Sequence, residues 1–229
     1  MTFADVTPGQ RRAARAAGGA LLLICASGLL SNDLIVPGNA AVTAANIAAH
    51  ERWFRTGILG ELIMLNADIV LAVALYRLLK PVHAGLALLG SIWRLGNAAL
   101  LAVGVVASLV AVDLATDAHY LEAFKPDQAA AIMRTFLDVH GTATSCGLVM
   151  FGAGGATQSW LLWWSGYIPR WLSGPYLVVT AAIFLSCTAL IVLPAAERIV
   201  DPWIIAPDFA VELAVALWLL IKGVRPRPA

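Results

Sequence analysis

The chain has 229 residues, of which 60% are hydrophobic and 13% are charged, and its formal net charge at pH 7 is +1. Soluble domains carry about 25% charged residues, so this composition excludes an ordinary soluble protein and predicts a membrane protein. The near-neutral charge gives no reason to expect a nucleic-acid partner. Three widely spaced cysteines lie inside apolar stretches, and we expect three small buried side chains.

The hydropathy pattern predicts an all-α fold, a polytopic helical bundle that forms a single domain over residues 1–229. An α-helix needs about 20 apolar residues to cross a bilayer, and six stretches approach this length. A short interfacial helix is expected between spans one and two, in the alanine-rich residues 39–54. The spans are predicted at about residues 16–36, 55–79, 85–112, 128–164, 171–193 and 207–223.

Span one follows an arginine-rich N-terminal segment and is expected to end at Pro37-Gly38. The same pattern is also typical of a secretory signal. Ser31-Asn32-Asp33 interrupts the apolar run and several further spans follow, which favours a retained first span.

Spans two and three carry charged side chains at matching depths. Glu61 and Asp68 are seven residues apart and therefore share one face of span two. Arg94 and Asn97 are three apart on one face of span three. At a rise of about 1.5 Å per residue, Arg94 and Asp68 lie equally deep. We therefore predict an ion pair between them, since an unpaired charge inside a bilayer is costly.

Helix four is predicted to be unusually long, because no proline interrupts residues 128–165. It could approach forty residues and protrude from the bilayer. Asp138 and His140 lie in its first half. Glycines in its second half predict close approach to a neighbouring helix: they are Gly147, Gly152, Gly154 and Gly155.

Spans five and six differ in polarity. Span five has almost no polar side chains and is expected to face lipid. Pro207 is predicted to open span six, which places Asp208 in its first turn, where a carboxylate suits the helix dipole. Glu212 follows inside the span.

The distribution of basic residues predicts the orientation. Arginine and lysine are more frequent at the N-terminus, the C-terminus and the connections on the same side. The positive-inside rule therefore predicts a multi-pass protein of the cell inner (plasma) membrane with both termini in the cytoplasm.

The polar side chains inside the spans predict a cavity that opens to the extracytoplasmic side, with the Asp68 and Arg94 pair as its floor. Most of these side chains, Glu212 among them, are placed in the outer half of the bundle, above that pair. The candidate ligand-binding residues are Asn32, Asp33, Glu61, Asp68, Arg94, Asn97, Asp138, His140 and Glu212.

Three functions fit this cavity. In the first, the cavity binds or moves a small or amphiphilic ligand. Arg94 and Glu61 line the cavity, and Arg94 and the carboxylates orient the polar end of the ligand. In the second, the protein is an intramembrane enzyme in which His140 does acid–base work with Glu61 or Glu212. In the third, the charges only fix helix packing. Membrane lipids are the expected partners, and the Gly154-Gly155 surface could seat another copy of the chain.

We expect no metal and no cofactor. The single deep histidine lacks the spacing of an HExxH or paired CxxC site, and no opposed histidine pair could ligate haem. The sequence also contains no GxSxG, Walker or GxGxxG motif.

Several short motifs stand in order along the chain. They are Thr43-Ala44-Ala45-Asn46-Ile47 with His50-Glu51, Phe54-Arg55 and Gly57-Ile58; Asp68-Ile69 with Leu75-Tyr76-Arg77-Leu78-Leu79-Lys80-Pro81; Ser165-Gly166-Tyr167-Ile168-Pro169-Arg170; and Glu212 with Trp218-Leu219-Leu220-Ile221-Lys222-Gly223. In these motifs the chain resembles a bacterial integral-membrane family catalogued as domain of unknown function 4386. The resemblance covers almost the full length. It implies a helical membrane fold and no particular activity.

Overall fold

The computed structural model describes residues 6–30, 34–36, 38–193 and 197–225, and within them the regular structure is entirely helical. This confirms the all-α prediction for the described part of the chain. The helices are α1 (Pro8–Gly28), α2 (Ala40–Ala49), α3 (Glu51–Leu79), α4 (Ala84–Thr116), α5 (Ala118–Ala123), α6 (Pro126–Ser165), α7 (Arg170–Val192) and α8 (Glu197–Ile221).

Three of the described helices, α3, α4 and α7, are long and apolar enough to cross a membrane. Their lengths of 29, 33 and 23 residues exceed the roughly 20 residues that a span requires. In α7 only 17% of the most apolar 18-residue stretch is buried, against 44% of the corresponding stretch in α3 and 50% in α4. Of these three helices α7, which corresponds to the predicted span five, is therefore the least buried.

Six long helices form a closed ring. In chain order α1, α3, α4, α6, α7 and α8 each pack against the next, and α8 packs back against α1. The short helix α2, which the sequence predicted between the first two long helices, lies against α3, α4 and α6. The ring encloses several of the polar side chains that the sequence singled out: Asp68, Arg94, Asn97 and Glu212 are buried in it.

Two apolar clusters lie at different levels of the ring. The first contains side chains of all six long helices, such as Leu21, Leu75, Leu161, Tyr176 and Leu219. The second is built from α2, α3, α4 and α6 alone, with Ile47, Phe54, Val112 and Met133 at its centre. One end of the ring is therefore filled by apolar side chains from every helix, and the other is covered on one side only.

Helix α6 has 40 residues, as the proline-free stretch predicted, and packs most extensively against α4 and α7. Its glycines permit this approach. A Cβ atom at Gly154 would lie 2.9 Å from the carbonyl oxygen of Gly90, and one at Gly155 would lie 2.7 Å from Cγ2 of Thr180. The expectation that this surface is free to seat a second copy is wrong, because α4 and α7 already occupy it.

Two predicted helix boundaries are wrong. Helix α1 begins at Pro8, where Thr7 and Gln10 form a capping box, and it ends at Gly28 rather than at Pro37-Gly38. Helix α8 begins at Glu197 and continues past Pro207. Proline removes one backbone hydrogen bond, and helices inside a bundle tolerate this loss because neighbours satisfy the freed carbonyl. Asp208 therefore lies inside α8 and not in its first turn.

Candidate functional site

The predicted ion pair forms in the interior of the ring. Nη1 of Arg94 on α4 donates to Oδ1 of Asp68 on α3 at 2.6 Å. Nδ2 of Asn97, one turn along α4, donates to Oδ2 of Asp68 at 2.9 Å. Both carboxylate oxygens of Asp68 are thus occupied. The two helices are joined by a tight turn, so residues at equal distances from it meet at one depth.

Arg94 has further partners that the sequence did not reveal. Nε donates to Oε1 of Gln158 at 2.7 Å, and Nη2 donates to the hydroxyl of Tyr176 at 3.1 Å. The guanidinium carbon lies 5.2 Å from the centroid of the Phe151 ring, a distance at which cation–π attraction operates. Nη2 is also 4.0 Å from Oε1 of Glu212, which accepts a hydrogen bond from Tyr176 at 3.4 Å.

These contacts join side chains of α3, α4, α6, α7 and α8 in one buried network. Arg94 has no exposed surface and lies behind Asp68, away from the wall of the adjacent cavity. The expectation that Arg94 lines the cavity and orients a ligand is therefore wrong. A buried guanidinium requires several acceptors around it. The side chains of the network supply these acceptors, so the charge of Arg94 is compensated within the protein.

A cavity of about 350 Å³ lies beside this network. All six long helices contribute to its wall. Five of the predicted site residues line it: Glu61, Asp68, Asn97, His140 and Glu212. Most of the remaining wall is apolar, including Ile24, Met64, Leu101, Leu148, Phe151, Ile183, Leu190 and Phe209. Ligand pockets typically have volumes of roughly 300–1,000 Å³ and mostly apolar walls with a few polar groups.

Glu61 and His140 face each other at the end of the cavity away from Asp68. Oε1 of Glu61 is 3.6 Å from Nε2 of His140, and Nδ1 of His140 is 3.0 Å from the hydroxyl of Ser108. A second cavity of about 270 Å³ adjoins the first and shares Glu61 and His140 in its lining. The two side chains therefore stand between the two cavities.

Asp138 does not belong to the cavity. Its side chain is 60% exposed and accepts an ion-pair contact from Nε of Arg134 at 2.9 Å. Two residues along an α-helix correspond to a rotation of about 200°. Asp138 therefore points away when His140 points inward. Asn32 and Asp33 lie outside the described residues.

Glu212 lies deeper than the sequence placed it, because its contact with Arg94 brings it to the level of the ion pair instead of above that pair. Asp208, which was not among the candidates, also lines the cavity. It stands four residues before Glu212, so both carboxylates share one face of α8. This spacing could have identified Asp208 in the sequence, but Pro207 predicted a helix start at that point.

Ser108, His140 and Glu61 present a hydroxyl, an imidazole and a carboxylate in series. The 3.6 Å between His140 and Glu61 exceeds an ordinary hydrogen bond. Ser108 lies in the interior of α4, where backbone N–H groups bond within the helix, so none is available to stabilise an oxyanion.

In the described part of the chain, no group of three or more histidine, cysteine, aspartate or glutamate side chains is arranged to hold a metal ion. What the described arrangement offers chemically is a cavity with apolar walls, carboxylates at two levels and one imidazole.

Comparison with known proteins agrees with the resemblance seen in the motifs. The model of the family described as Domain of unknown function (DUF4386) matches residues 16–223. A relative from Archaeoglobus fulgidus, described as "Uncharacterized protein", is 28% identical over 175 residues, which cover 72% of this chain and 83% of the relative. No solved structure matches the chain at a significant level. Because the family match spans nearly the whole sequence, the protein belongs to the family Domain of unknown function (DUF4386).

Proposed function

We propose that the protein crosses the cell inner (plasma) membrane six times, with both termini in the cytoplasm. We further propose that it binds or moves a small or amphiphilic ligand in the cavity of the helical ring. The observation that carries this proposal is the cavity of about 350 Å³, which has an apolar wall and carboxylates from α3 and α8.

The closed ring supports six crossings. Helices α1, α6 and α8 stand in the same ring as the three apolar helices α3, α4 and α7 and have 21, 40 and 25 residues. Arginines at the start of α1 and polar side chains in the first half of α6 lower their average hydropathy. In the proposed topology those segments lie at or beyond the membrane surface, so the remaining length still spans the hydrocarbon.

The cavity itself supports ligand binding over a purely structural role. Protein interiors pack densely and leave few voids larger than a water molecule. Here the structural requirement is met by the pair of Arg94 and Asp68, whereas the buried Oδ1 of Asp208, which also lines the cavity, accepts no hydrogen bond from any described residue. Carboxylates that only fixed helix packing would be expected to face a partner, because a charge inside a membrane is costly.

The two apolar clusters support an opening at the end of the ring where α2 lies. The other end is filled by side chains of all six long helices, whereas the cluster near α2 involves only four helices. Ala13 near the start of α1 and Val224 after α8 belong to the cluster at the filled end. Basic residues stand close to them in the sequence, namely Arg11, Arg12, Arg15, Lys222 and Arg225, and the positive-inside rule assigns such an end to the cytoplasm. The proposed opening is therefore extracytoplasmic.

The proposal is tested by mass spectrometry of the small molecules and lipids that copurify with the full-length protein in mild detergent. Ser186→Phe should fill part of the cavity, because Ser186 lies in its lining. Leu185→Phe is the matched control, since the neighbouring side chain is 66% exposed on the outside of α7. A species that is present with the wild-type and control proteins and depleted with Ser186→Phe supports the proposal. Identical profiles for all three proteins contradict it.

The six crossings are tested separately with reporter fusions that are active on one side of the membrane only. A reporter fused after Ala229 should be active in the cytoplasm, and so should one inserted after Gly166. A reporter inserted after Asp117 should be active outside. Opposite locations for the first two fusions would contradict the proposed topology.

A further inference from the structure

We propose that the ligand is an organic monocation, a protonated amine with an apolar body. Its charged group would lie between Asp208 and Glu212, and its body would lie against the apolar wall of the cavity. This inference rests on the proposed ligand-binding function and names the chemical class of the ligand.

The first observation is the charge of the cavity wall. Four carboxyl side chains line it, from Glu61, Asp68, Asp208 and Glu212, and the lining includes one imidazole but no lysine or arginine. The charge of Asp68 is already balanced by Arg94 at 2.6 Å. The wall therefore keeps an excess of acidic groups, which disfavours an anionic ligand.

The second observation is the position of Asp208 and Glu212. They are four residues apart on α8 and face the same cavity, and like charges at this spacing destabilise a helix. Oδ1 of Asp208 is buried and accepts no hydrogen bond from any described residue. Oε1 of Glu212 accepts one long hydrogen bond, 3.4 Å from the hydroxyl of Tyr176, and lies 4.0 Å from Nη2 of Arg94, beyond hydrogen-bond distance. An ammonium group has three N–H donors and would give both carboxylates charge-assisted hydrogen bonds.

The third observation concerns the kind of cation. Calcium takes six to eight oxygen ligands and magnesium takes six in a strict octahedron, whereas the side chains around Asp208 and Glu212 are mostly apolar. Among the described residues no cluster fit to hold a metal ion exists. The wall next to the carboxylates includes Ile183, Leu190 and Phe209, which suits an alkyl or aryl group attached to the amine.

The test uses three probes of equal length on the full-length protein in detergent at pH 7: octylammonium chloride, octan-1-ol and sodium octanoate. Binding is measured by isothermal titration calorimetry and by the shift of the thermal unfolding midpoint, followed through tryptophan fluorescence. We expect octylammonium to bind at least tenfold more tightly than octan-1-ol, and octanoate to bind most weakly. Sodium and calcium chloride, added alone, should not shift the midpoint specifically.

The variant Asp208→Asn/Glu212→Gln should bind octylammonium and octan-1-ol with equal affinity. Asp138→Asn is the matched control, because it removes a carboxylate that does not face the cavity, and it should keep the preference for the amine. The three-probe comparison on the wild-type protein decides the charge preference even if the double variant does not fold. Competition by phosphatidylethanolamine in nanodiscs would identify the ammonium group of a zwitterionic lipid headgroup as the occupant of this position, and lack of competition would identify a free amine.

The outcomes separate this inference from the function on which it rests. Equal binding of octylammonium and octan-1-ol, blocked by Ser186→Phe, would contradict the proposal that the ligand is a cation. It would leave the proposed ligand-binding function of the cavity standing. Three other results would also contradict a cationic ligand. They are tighter binding of octanoate, a specific shift of the unfolding midpoint with calcium or sodium, and an unchanged amine preference in the double variant. If no probe binds and the copurification profiles are identical, both the ligand-binding function and the cationic ligand are contradicted.

Discussion

Arg94 and Asp68 meet at 2.6 Å in the interior of the helical ring, with side chains that are 0% and 3% exposed. The pair joins α3 to α4, and Gln158, Tyr176 and Glu212 extend it to three further helices. This arrangement stabilises the folded protein only when both charged side chains are present. A buried charge that loses its partner keeps the cost of its removal from water and loses the attraction that offset it.

Arg94→Met is therefore expected to destabilise the protein by about 3–5 kcal/mol, because it leaves the carboxylate of Asp68 buried without its cation. The double variant Arg94→Met/Asp68→Leu should recover a substantial part of this loss. Unfolding in mixed detergent micelles, followed by tryptophan fluorescence, measures both. Arg12→Met is the control, since Arg12 is exposed on α1. Additive losses in the double variant would show that the two side chains are not energetically coupled.

Two adjacent glycines on α1 should respond differently to substitution. A Cβ atom at Gly18 would lie 2.6 Å from the backbone nitrogen of Leu220 and 2.7 Å from the carbonyl oxygen of Ala216, whereas one at Gly19 would meet nothing within 4 Å. Gly18→Ala should separate α1 from α8 and destabilise the protein by about 1–3 kcal/mol. Gly19→Ala should be neutral or stabilising by up to about 1 kcal/mol, because alanine favours the helix.

Thermal unfolding midpoints of these two variants, compared with the wild-type protein in the same detergent, provide the measurement. Equal midpoints for Gly18→Ala and Gly19→Ala would show that the close packing of α1 against α8 does not form.

Two neighbouring positions on α3 should distinguish a water-filled cavity from the lipid-facing surface. Met64 lines the cavity, whereas Ile63 is 37% exposed on the outside of the ring. In a protein from which the three native cysteines have been removed, a charged methanethiosulfonate should label Met64→Cys in membranes. Ile63→Cys should react slowly although it is the more exposed side chain, because thiols ionise and react in water and not in hydrocarbon.

The rate of labelling in intact membranes is the measured quantity, with detergent-solubilised protein as the reference for full reactivity. Faster labelling of Ile63→Cys than of Met64→Cys in membranes would mean that water does not reach the cavity.

Tyr167 gives a prediction about alkaline pH. It lies in the connection between α6 and α7, is buried, and its hydroxyl accepts a hydrogen bond from Nε2 of Gln10 at 2.8 Å. Burial raises the pKa of Tyr167 above its ordinary value of 10.0. The folded state therefore binds this proton more tightly than the unfolded state. The contribution to stability is complete below about pH 10 and is lost as pH rises through the folded pKa.

Wild-type protein should accordingly lose more stability between about pH 9 and about pH 11 than Tyr167→Phe, which has no phenol to ionise. Unfolding midpoints at several pH values measure the difference. Parallel curves for the two proteins would contradict the prediction, and the comparison at pH 7 reports separately on the lost hydrogen bond with Gln10.

Counting along the sequence identified several relationships correctly. The pair of Arg94 and Asp68 followed from equal distances to the turn between α3 and α4. The shared face of Glu61 and Asp68 followed from their spacing of seven residues, and both line the cavity. The length of α6 followed from the absence of proline. These features depend on rise and periodicity, which every α-helix has in common.

Other relationships depended on how each helix is rotated about its own axis. Asp138 and His140 have similar depths, but packing of α6 against α4 turns only His140 inward. Arg94 is shielded by Gln158 and Tyr176, which are far away in sequence. Asp208 lines the cavity because it shares one face of α8 with Glu212 and packing turns that face inward. The sequence by itself determined which long stretches are helical, the length of α6 and the equal depth of Arg94 and Asp68, because backbone geometry sets these features locally. Only the tertiary structure decided which side chains share the cavity, because the rotation of each helix is set by packing against all its neighbours.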